Sequence, residues 1–172
     1  MKLKTTKFEF LLELIAFVIM AASLAYMIMM EESLPQQIVT HYNAQGVADQ
    51  WGSRSELYKV PLLGMIIYTF ATVLQRFPKR WNVGISPEHK NAEKAYRYTK
   101  DMIIVLKTEI VIFFAYFGIC TANQQPPVSF FLPSVLIITF GTIIVYMMKV
   151  ALAKKEGLSP EARMEQKRKW LP

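Results

Sequence analysis

Four long apolar runs, separated by polar segments, constrain the fold of this chain more than any other feature. They cover residues 8–30, 61–77, 102–122 and 128–150. A transmembrane helix needs about 20 mainly apolar residues, with a range of roughly 17–25, so three runs have sufficient length and the second is at the short end. These runs lack the polar stripe that a helix of a soluble bundle would carry. The sequence therefore predicts an all-α integral membrane protein, a single membrane domain with four transmembrane helices.

Lysine and arginine are unevenly distributed among the segments that connect these runs. They concentrate before the first run, in residues 78–101 and in residues 151–172, whereas residues 31–60 hold two basic and four acidic residues. Because cytoplasmic flanks of membrane helices carry excess lysine and arginine, we expect a multi-pass protein of the cell membrane with cytoplasmic N- and C-termini. The segment 31–60 is then an extracytoplasmic loop, 78–101 a cytosolic loop and 151–172 a cytosolic tail. The basic charge suits anionic lipid headgroups, and no nucleic-acid recognition module accompanies it.

The predicted outer loop is dense in residues with special backbone or hydrogen-bonding properties. Pro35 cannot continue the first helix, and two glycines permit backbone angles closed to other residues. Residues 36–42 suit a short strand or a helix on the membrane surface, and residues 43–46 and 49–53 suit turns. We expect this loop to be structured and to bind a ligand, or else only to cap the ends of the helices. The candidate ligand-binding residues are His41, Tyr42, Asn43, Gly46, Asp49, Trp51, Gly52 and Ser53.

The same loop carries a resemblance to a known family. Residues 34–54 read LPQQIVTHYNAQGVADQWGSR, with Leu-Pro first, then His-aromatic-Asn, then Gly-x-x-Asp-x-aromatic-Gly-Ser. This order resembles the motif of a bacterial domain of unknown function at the N-terminus of SdpI-type immunity proteins. Val39 departs from a usual proline, and Arg54 from a common lysine. The resemblance implies a membrane protein that gives immunity to a membrane-active toxin or peptide, or senses one, through its outer loop.

A second part of the resemblance lies in the predicted cytosolic loop. The family's Phe-Asn, Asn-Ala and Tyr-Arg pairs correspond here to Trp81-Asn82, Asn91-Ala92 and Tyr96-Arg97. Residues 86–88, Ser-Pro-Glu, predict a helix start with serine as the cap, proline at the first position and an acid in the first turn. We therefore expect a short cytosolic helix before helix 3 that merges with it. The same Ser-Pro-Glu sequence at 159–161 predicts a helix start in the tail.

Three ionisable residues, Glu13, Lys107 and Glu109, interrupt the apolar runs. Such groups are costly in a bilayer and usually face a partner or water. Glu13 and Lys107 lie at similar depths, which predicts an ion pair between helices 1 and 3, whereas Glu109 points to another face of helix 3. One alternative is that Lys107 reaches the interface without a partner. Another is that the three groups line a path through a small oligomeric transporter or channel.

The sequence offers little for metal binding or catalysis. The single cysteine, Cys120, excludes an internal disulfide, and His41 with Asp49 provides too few ligands for zinc. No set of nucleophile, base and orienting group is recognisable. We expect no enzyme activity, no cofactor and no bound metal. The expected partners are the lipid bilayer, an extracytoplasmic peptide or toxin, and further copies of the chain in a homo-oligomer.

Overall fold

Four long helices form the body of the molecule. The computed structural model describes residues 3–43, 45–86 and 89–156. The helices are α1 (Lys7–Glu31), α2 (Lys59–Leu74), α3 (Ala92–Ala122) and α4 (Phe131–Glu156). All four, α2 together with the 3-10 turn Arg54–Tyr58 that precedes it, are long and apolar enough to cross a membrane. The prediction of four transmembrane helices is therefore supported, and the chain has the architecture of a multi-pass membrane protein.

The central helix of the bundle is α3. It packs against α1, α2 and α4, whereas α1 and α2 barely touch each other. Small residues permit these approaches, since a Cβ added at Gly64 of α2 would lie 3.0 Å from the Phe114 side chain, and one at Gly118 of α3 would lie 2.9 Å from Met27. The outward faces of α1 and α4 expose large apolar side chains, as helices in contact with lipid do.

The two ends of the bundle, the basic end and the hairpin end, differ in composition. At the basic end α1 begins, α2 ends, α3 begins and α4 ends, so the lysine- and arginine-rich segments meet there. The start of α1 is fixed by a capping box, in which Glu9 N donates to Thr6 Oγ1 and Thr6 N donates to the Glu9 carboxylate. The opposite end, which carries the connection between α1 and α2, is the hairpin end.

A β-hairpin occupies the connection between α1 and α2, so the prediction of an all-α protein is wrong at this point. Strand β1 (Gln37–Tyr42) pairs antiparallel with β2 (Ala48–Ser53). The strand alternative for residues 36–42 is confirmed, because this segment is rich in β-branched and aromatic residues that favour strands. The turn predicted at 43–46 is confirmed too: Gly46 N donates to Asn43 O at 2.9 Å, and Gly46 has φ +76°.

Two other local predictions differ from the structure, one in the type of element and one in where the element begins. Residues 49–53 are not a turn, because pairing with β1 draws them into β2. The cytosolic helix expected before helix 3 is present only as the first part of α3, which begins at Ala92. A 3-10 turn, Pro78–Arg80, follows α2, and Trp81 and Val83 pack against the start of α3.

At the basic end, α3 and α4 both extend past their apolar runs. The first ten residues of α3, 92–101, belong to the segment that was predicted to be cytosolic, and they form one continuous helix with the rest. The last turns of α4 continue to Glu156, within the predicted tail. Residues 157–172, with the helix start expected at 159–161, lie outside the described residues, as do Pro87 and Glu88.

Candidate functional site

The hairpin is fastened to the bundle by a small apolar core. Ile38 of β1, Met27 of α1 and Leu57 are fully buried, and Leu34 and Ala122 complete the cluster. Because side chains alternate across a strand, burial of Ile38 turns its neighbours on β1 and their partners on β2 away from the helices. The hairpin therefore has one face fixed to the hairpin end and one face open.

Hydrogen bonds add to this attachment. Gln124, in the connection between α3 and α4, accepts from Val39 N at 2.8 Å and so holds the outer edge of β1. The Arg54 guanidinium donates to the carbonyl oxygens of Glu31 and Leu34 at 3.3 and 3.4 Å, which covers the end of α1. Tyr58 Oη donates to Glu31 Oε2 at 2.5 Å. The hairpin is thus tied to three helices rather than suspended between two.

Five of the eight candidate residues in the hairpin shape it. Asn43 Oδ1 accepts from the backbone N–H groups of residues 45 and 47, both at 3.0 Å, and so builds the turn with Gly46. Gly52 leaves room for a carboxylate, because a Cβ there would lie 2.6 Å from the Glu56 side chain. Ser53 Oγ lies 2.6 Å from Ser55 Oγ. Tyr42 places its hydroxyl inside the molecule, and this burial raises its pKa.

The other three candidates are exposed, and the strand register shifts on either side of His41. His41 Nδ1 and Asp49 Oδ1 lie 2.5 Å apart across the strands, with side chains 55% and 42% exposed. Trp51 is 60% exposed, and Val47 beside the turn is 58% exposed. A hydrogen-bonded His–Asp pair and an aromatic ring are therefore exposed on the same anchored hairpin, where they can contact another molecule.

A buried polar hub joins α1, α2 and α3. Lys107 Nζ donates to Glu13 Oε1 at 2.6 Å and to Thr72 Oγ1 at 2.9 Å, and it lies 4.6 Å from the ring centroid of Tyr68. Glu13 also accepts from Tyr68 Oη at 2.7 Å and from Gln75 Nε2 at 2.8 Å. The predicted Glu13–Lys107 pair is confirmed, and the alternative of an unpartnered Lys107 is wrong. The hub thus gives the Lys107 ammonium group and the Glu13 carboxylate the charged and hydrogen-bonding partners that lipid tails cannot provide.

A second ion pair lies one turn nearer the basic end. Lys100 Nζ donates to the fully buried Glu9 Oε2 at 2.7 Å, and Asp101 lies near the same carboxylate. Glu9 and Glu13 are one turn apart on α1, and Lys100 and Lys107 two turns apart on α3, so each helix presents its pair on one face. The third predicted intramembrane residue, Glu109, points elsewhere, as expected, and accepts from Thr142 Oγ1 of α4 at 2.5 Å.

The residues of the second motif fasten the basic end. Asn91 Nδ2 donates to Ala153 O of α4 at 3.0 Å, and Tyr96 stacks on Trp81 with ring centroids 6.3 Å apart. Arg97 Nη1 donates to Lys4 O at 3.2 Å, which ties the start of the chain to α3. Asn82 is exposed. Three of these four residues therefore hold elements together, and none is placed in the hairpin or in the hub.

A cavity of about 400 Å³ extends from the basic end towards the hub. Its lining includes Glu9, Glu13, Gln75, Arg76 and Lys100. The contribution of α2 to the hub and cavity was missed at the level of sequence, although Tyr68, Thr72 and Gln75 follow the i, i+4, i+7 spacing of one helix face. Among the described residues, no group of three or more histidine, cysteine, aspartate and glutamate side chains could hold a metal ion.

Comparison with known proteins identifies the segment that holds the hairpin. Residues 18–65 match the family model of a domain of unknown function, DUF1648, which confirms the resemblance of this segment to such a domain. The matched segment begins within α1, includes the whole hairpin and ends within α2. The chain matches no curated protein and no solved structure.

Proposed function

We propose that the hairpin is the recognition element of an SdpI-like bacterial membrane protein, which binds a membrane-active toxin or peptide and gives immunity to it or senses it. In this proposal the hairpin faces outward from the cell membrane and both termini are cytoplasmic, an orientation supported by the lysine and arginine asymmetry. The match to the family model, which is centred on the hairpin, also supports this assignment. The proposed role is binding, without catalysis or a cofactor.

One observation carries the proposal, namely the exposed Trp51 on an anchored hairpin. A rigid aromatic side chain offers a large contact area and loses little conformational entropy on binding, so such residues dominate many recognition surfaces. The buried Ile38 and Leu57 hold the strands in place beneath it. Residues 31–60 contain four acidic and two basic residues, and this net acidic charge of the segment that holds Trp51 favours a cationic partner.

Alanine variants separate recognition from folding of the hairpin. We expect Trp51→Ala and Asp49→Ala to lose protection of cells against a cationic membrane-active peptide, while membrane abundance and melting temperature stay at the wild-type level. His41→Ala should behave similarly, since His41 holds Asp49 across the strands. Asn43→Ala is the matched control in the same hairpin. It removes two backbone hydrogen bonds of the turn and should lower stability and protection together.

Two results would argue against recognition by the hairpin. If Trp51→Ala lowers stability as much as Asn43→Ala does, the exposed group only folds a cap. If cells that express the wild-type protein survive no better than empty-vector cells with every peptide tested, the immunity proposal fails. Sensing would still predict a measurable change in Trp51 fluorescence when the peptide is added to protein in nanodiscs.

A small oligomeric transporter or channel is the second candidate function, favoured by the hub and by the cavity that reaches Glu13. Glu13, Lys107 and Glu109 would line the path in an assembly of several copies. Lys107 is held by hydrogen bonds to Glu13 and Thr72, as in a structural contact between helices, and this weighs against a continuous path. Ion flux into proteoliposomes that is abolished by Glu13→Gln would favour transport over recognition by the hairpin.

A further inference from the structure

We propose that the cavity at the basic end binds a phospholipid whose headgroup combines a phosphodiester with an ammonium group, as ethanolamine phospholipids do. This site is distinct from the hairpin, and the inference does not depend on the function proposed above. It rests on the position of the cavity, on the charges that line it and on the apolar side chains beside it.

The position of the cavity matches the headgroup layer of a bilayer. Its lining begins at Leu3 and Thr5, before α1, and reaches Glu13 within α1. Glu13 is about 9 Å along the helix axis from Lys7, at 1.5 Å per residue. The polar layer on one side of a bilayer is roughly 5–8 Å thick, half the difference between the full thickness and the hydrocarbon core. Measured from Lys7, the cavity therefore spans this polar layer and reaches the adjoining hydrocarbon core at Glu13.

One wall of the cavity offers a site for a phosphate. Arg76 follows the last turn of α2, is exposed and lines the cavity. Within the described ranges, its guanidinium has no ion-pair partner, in contrast with Lys100 and Lys107, which are both held by glutamates. A guanidinium binds phosphate oxygens through a planar fork of N–H groups, which makes Arg76 the natural phosphate ligand here.

A second wall offers a site for an ammonium group. The Glu13 side chain is 24% exposed although it already accepts three hydrogen bonds, so its carboxylate can accept another donor from the cavity. Gln75 lies between the two sites, because its Nε2 donates to Glu13 and the next residue is Arg76. Arg76 and the partly exposed Glu13 carboxylate therefore match the two charges of a zwitterionic headgroup. The phosphate would bind at Arg76, and the N–H donors of the ammonium group would bind at Glu13.

Apolar side chains beside the cavity favour a lipid over a soluble phosphate compound. Few residues of α1 and α2 approach each other closely, and the hydrogen bonds of Tyr68 and Gln75 to Glu13 cross between them. The last turn of α2 exposes Val73 and Leu74, which are 51% and 40% exposed. Acyl chains attached to a headgroup in the cavity would run along such apolar surfaces, which a soluble compound could not use.

Lipids that differ only in their N–H groups test this inference. Native mass spectrometry of the full-length protein in detergent would measure binding of phosphatidylethanolamine, its N,N-dimethyl form and phosphatidylcholine with identical acyl chains. We expect phosphatidylethanolamine to bind about tenfold more tightly than phosphatidylcholine, which has the same charges but no donor for Glu13. The dimethyl form, which keeps one N–H, should lie closer to phosphatidylethanolamine. Equal binding of all three lipids would overturn the assigned ammonium site.

Charge variants test the phosphate site. Arg76→Gln should weaken binding of phosphatidylethanolamine about tenfold, Arg76→Lys should weaken it less, and all variants should keep the wild-type melting temperature. Lys79→Gln is the matched control, because it removes a nearby cation that does not line the cavity. Equal effects of Arg76→Gln and Lys79→Gln would show a general charge effect and refute the site.

Soluble compounds distinguish the source of the ligand. Inorganic phosphate and glycerophosphoethanolamine, added to the same protein at millimolar concentration, should not displace the lipid. If glycerophosphoethanolamine binds as tightly as the lipid does, the cavity takes a soluble ligand and the lipid assignment is wrong. If no phosphate-containing compound binds above the level seen with Arg76→Gln, the cavity holds only water.

Discussion

Removing either charge of the Glu13–Lys107 pair should destabilise the protein, and the loss should be larger when Glu13 is the residue replaced. The Lys107 side chain has no exposed surface, whereas that of Glu13 is 24% exposed and lines the cavity. In Glu13→Gln, the buried ammonium group loses its counter-charge and keeps neutral partners: the introduced amide oxygen, the Thr72 hydroxyl and the face of the Tyr68 ring. Leaving one partner of a buried pair alone costs roughly 3–5 kcal/mol, and we expect a value of about 4 kcal/mol for this variant.

The opposite change should cost less. In Lys107→Met, Glu13 keeps the donors of Tyr68 and Gln75, and water can reach its carboxylate from the cavity. We expect a loss of about 2 kcal/mol, below the usual range for a buried pair. The double variant removes both charges at once and should be more stable than the sum of the single effects predicts by at least about 2 kcal/mol.

Reversible unfolding in mixed detergent micelles, repeated as melting temperatures in nanodiscs, measures these differences. The control is the Lys94–Glu156 pair, which has nearly the same N–O distance, 2.7 Å against 2.6 Å, but exposed side chains. Lys94→Met combined with Glu156→Gln should show no resolvable coupling, because exposed ion pairs are screened by solvent. Additive effects in the hub, or a larger cost for Lys107→Met than for Glu13→Gln, would refute this explanation.

Three further predictions concern the hairpin and the helix contacts. Gly46→Ala should lower the free energy of unfolding by about 1 kcal/mol because of the positive φ at this position. Packing adds nothing to this cost, since the new Cβ would lie at an ordinary 3.7 Å from Pro126. An unchanged melting temperature would contradict this prediction. Gln124→Ala should speed proteolysis of the hairpin, because Val39 N loses its acceptor at a cost of about 1 kcal/mol, whereas the exposed Gln125→Ala should not. Gly64→Leu should destabilise the packing of α2 on α3 by about 1–3 kcal/mol, while Gly141→Leu, whose Cβ meets nothing within 4 Å, should be tolerated in monomeric protein.

The four helices follow from the sequence because each apolar run has the length that a bilayer requires. The hairpin is harder to predict, because its two strands have different origins. Residues 37–42 include Ile38, Val39 and Tyr42, which favour a strand locally. In contrast, Ala48–Ser53 contains Asp49 and Gly52, which do not, and it becomes a strand only through pairing with β1. Local propensity therefore predicts one strand and a turn, but not the second strand.

The candidate site shows the same division between local and tertiary information. Glu13 and Lys107 could be paired from the sequence, because depth in the bilayer depends only on position along each helix. Whether Tyr68 and Gln75 contact Glu13 depends on how α2 is rotated against α3, and the sequence pattern leaves this rotation open. The cavity depends on the distance between α1 and α2, two helices that barely touch. The role of Tyr96 as a packing residue likewise follows from its stacking on Trp81.

Everything proposed for the hairpin requires that it face the outside of the cell. Labelling of single cysteines with a membrane-impermeant maleimide tests this directly, in a Cys120→Ala background because Cys120 is the single native cysteine. Ser53→Cys lies on the exposed strand β2, and Lys155→Cys lies near the end of α4 at the basic end. In intact cells we predict labelling at Ser53→Cys alone, with Lys155→Cys labelled only after the membrane is permeabilised. Labelling of Lys155→Cys but not Ser53→Cys in intact cells would contradict the orientation, and with it the proposed recognition of an external peptide.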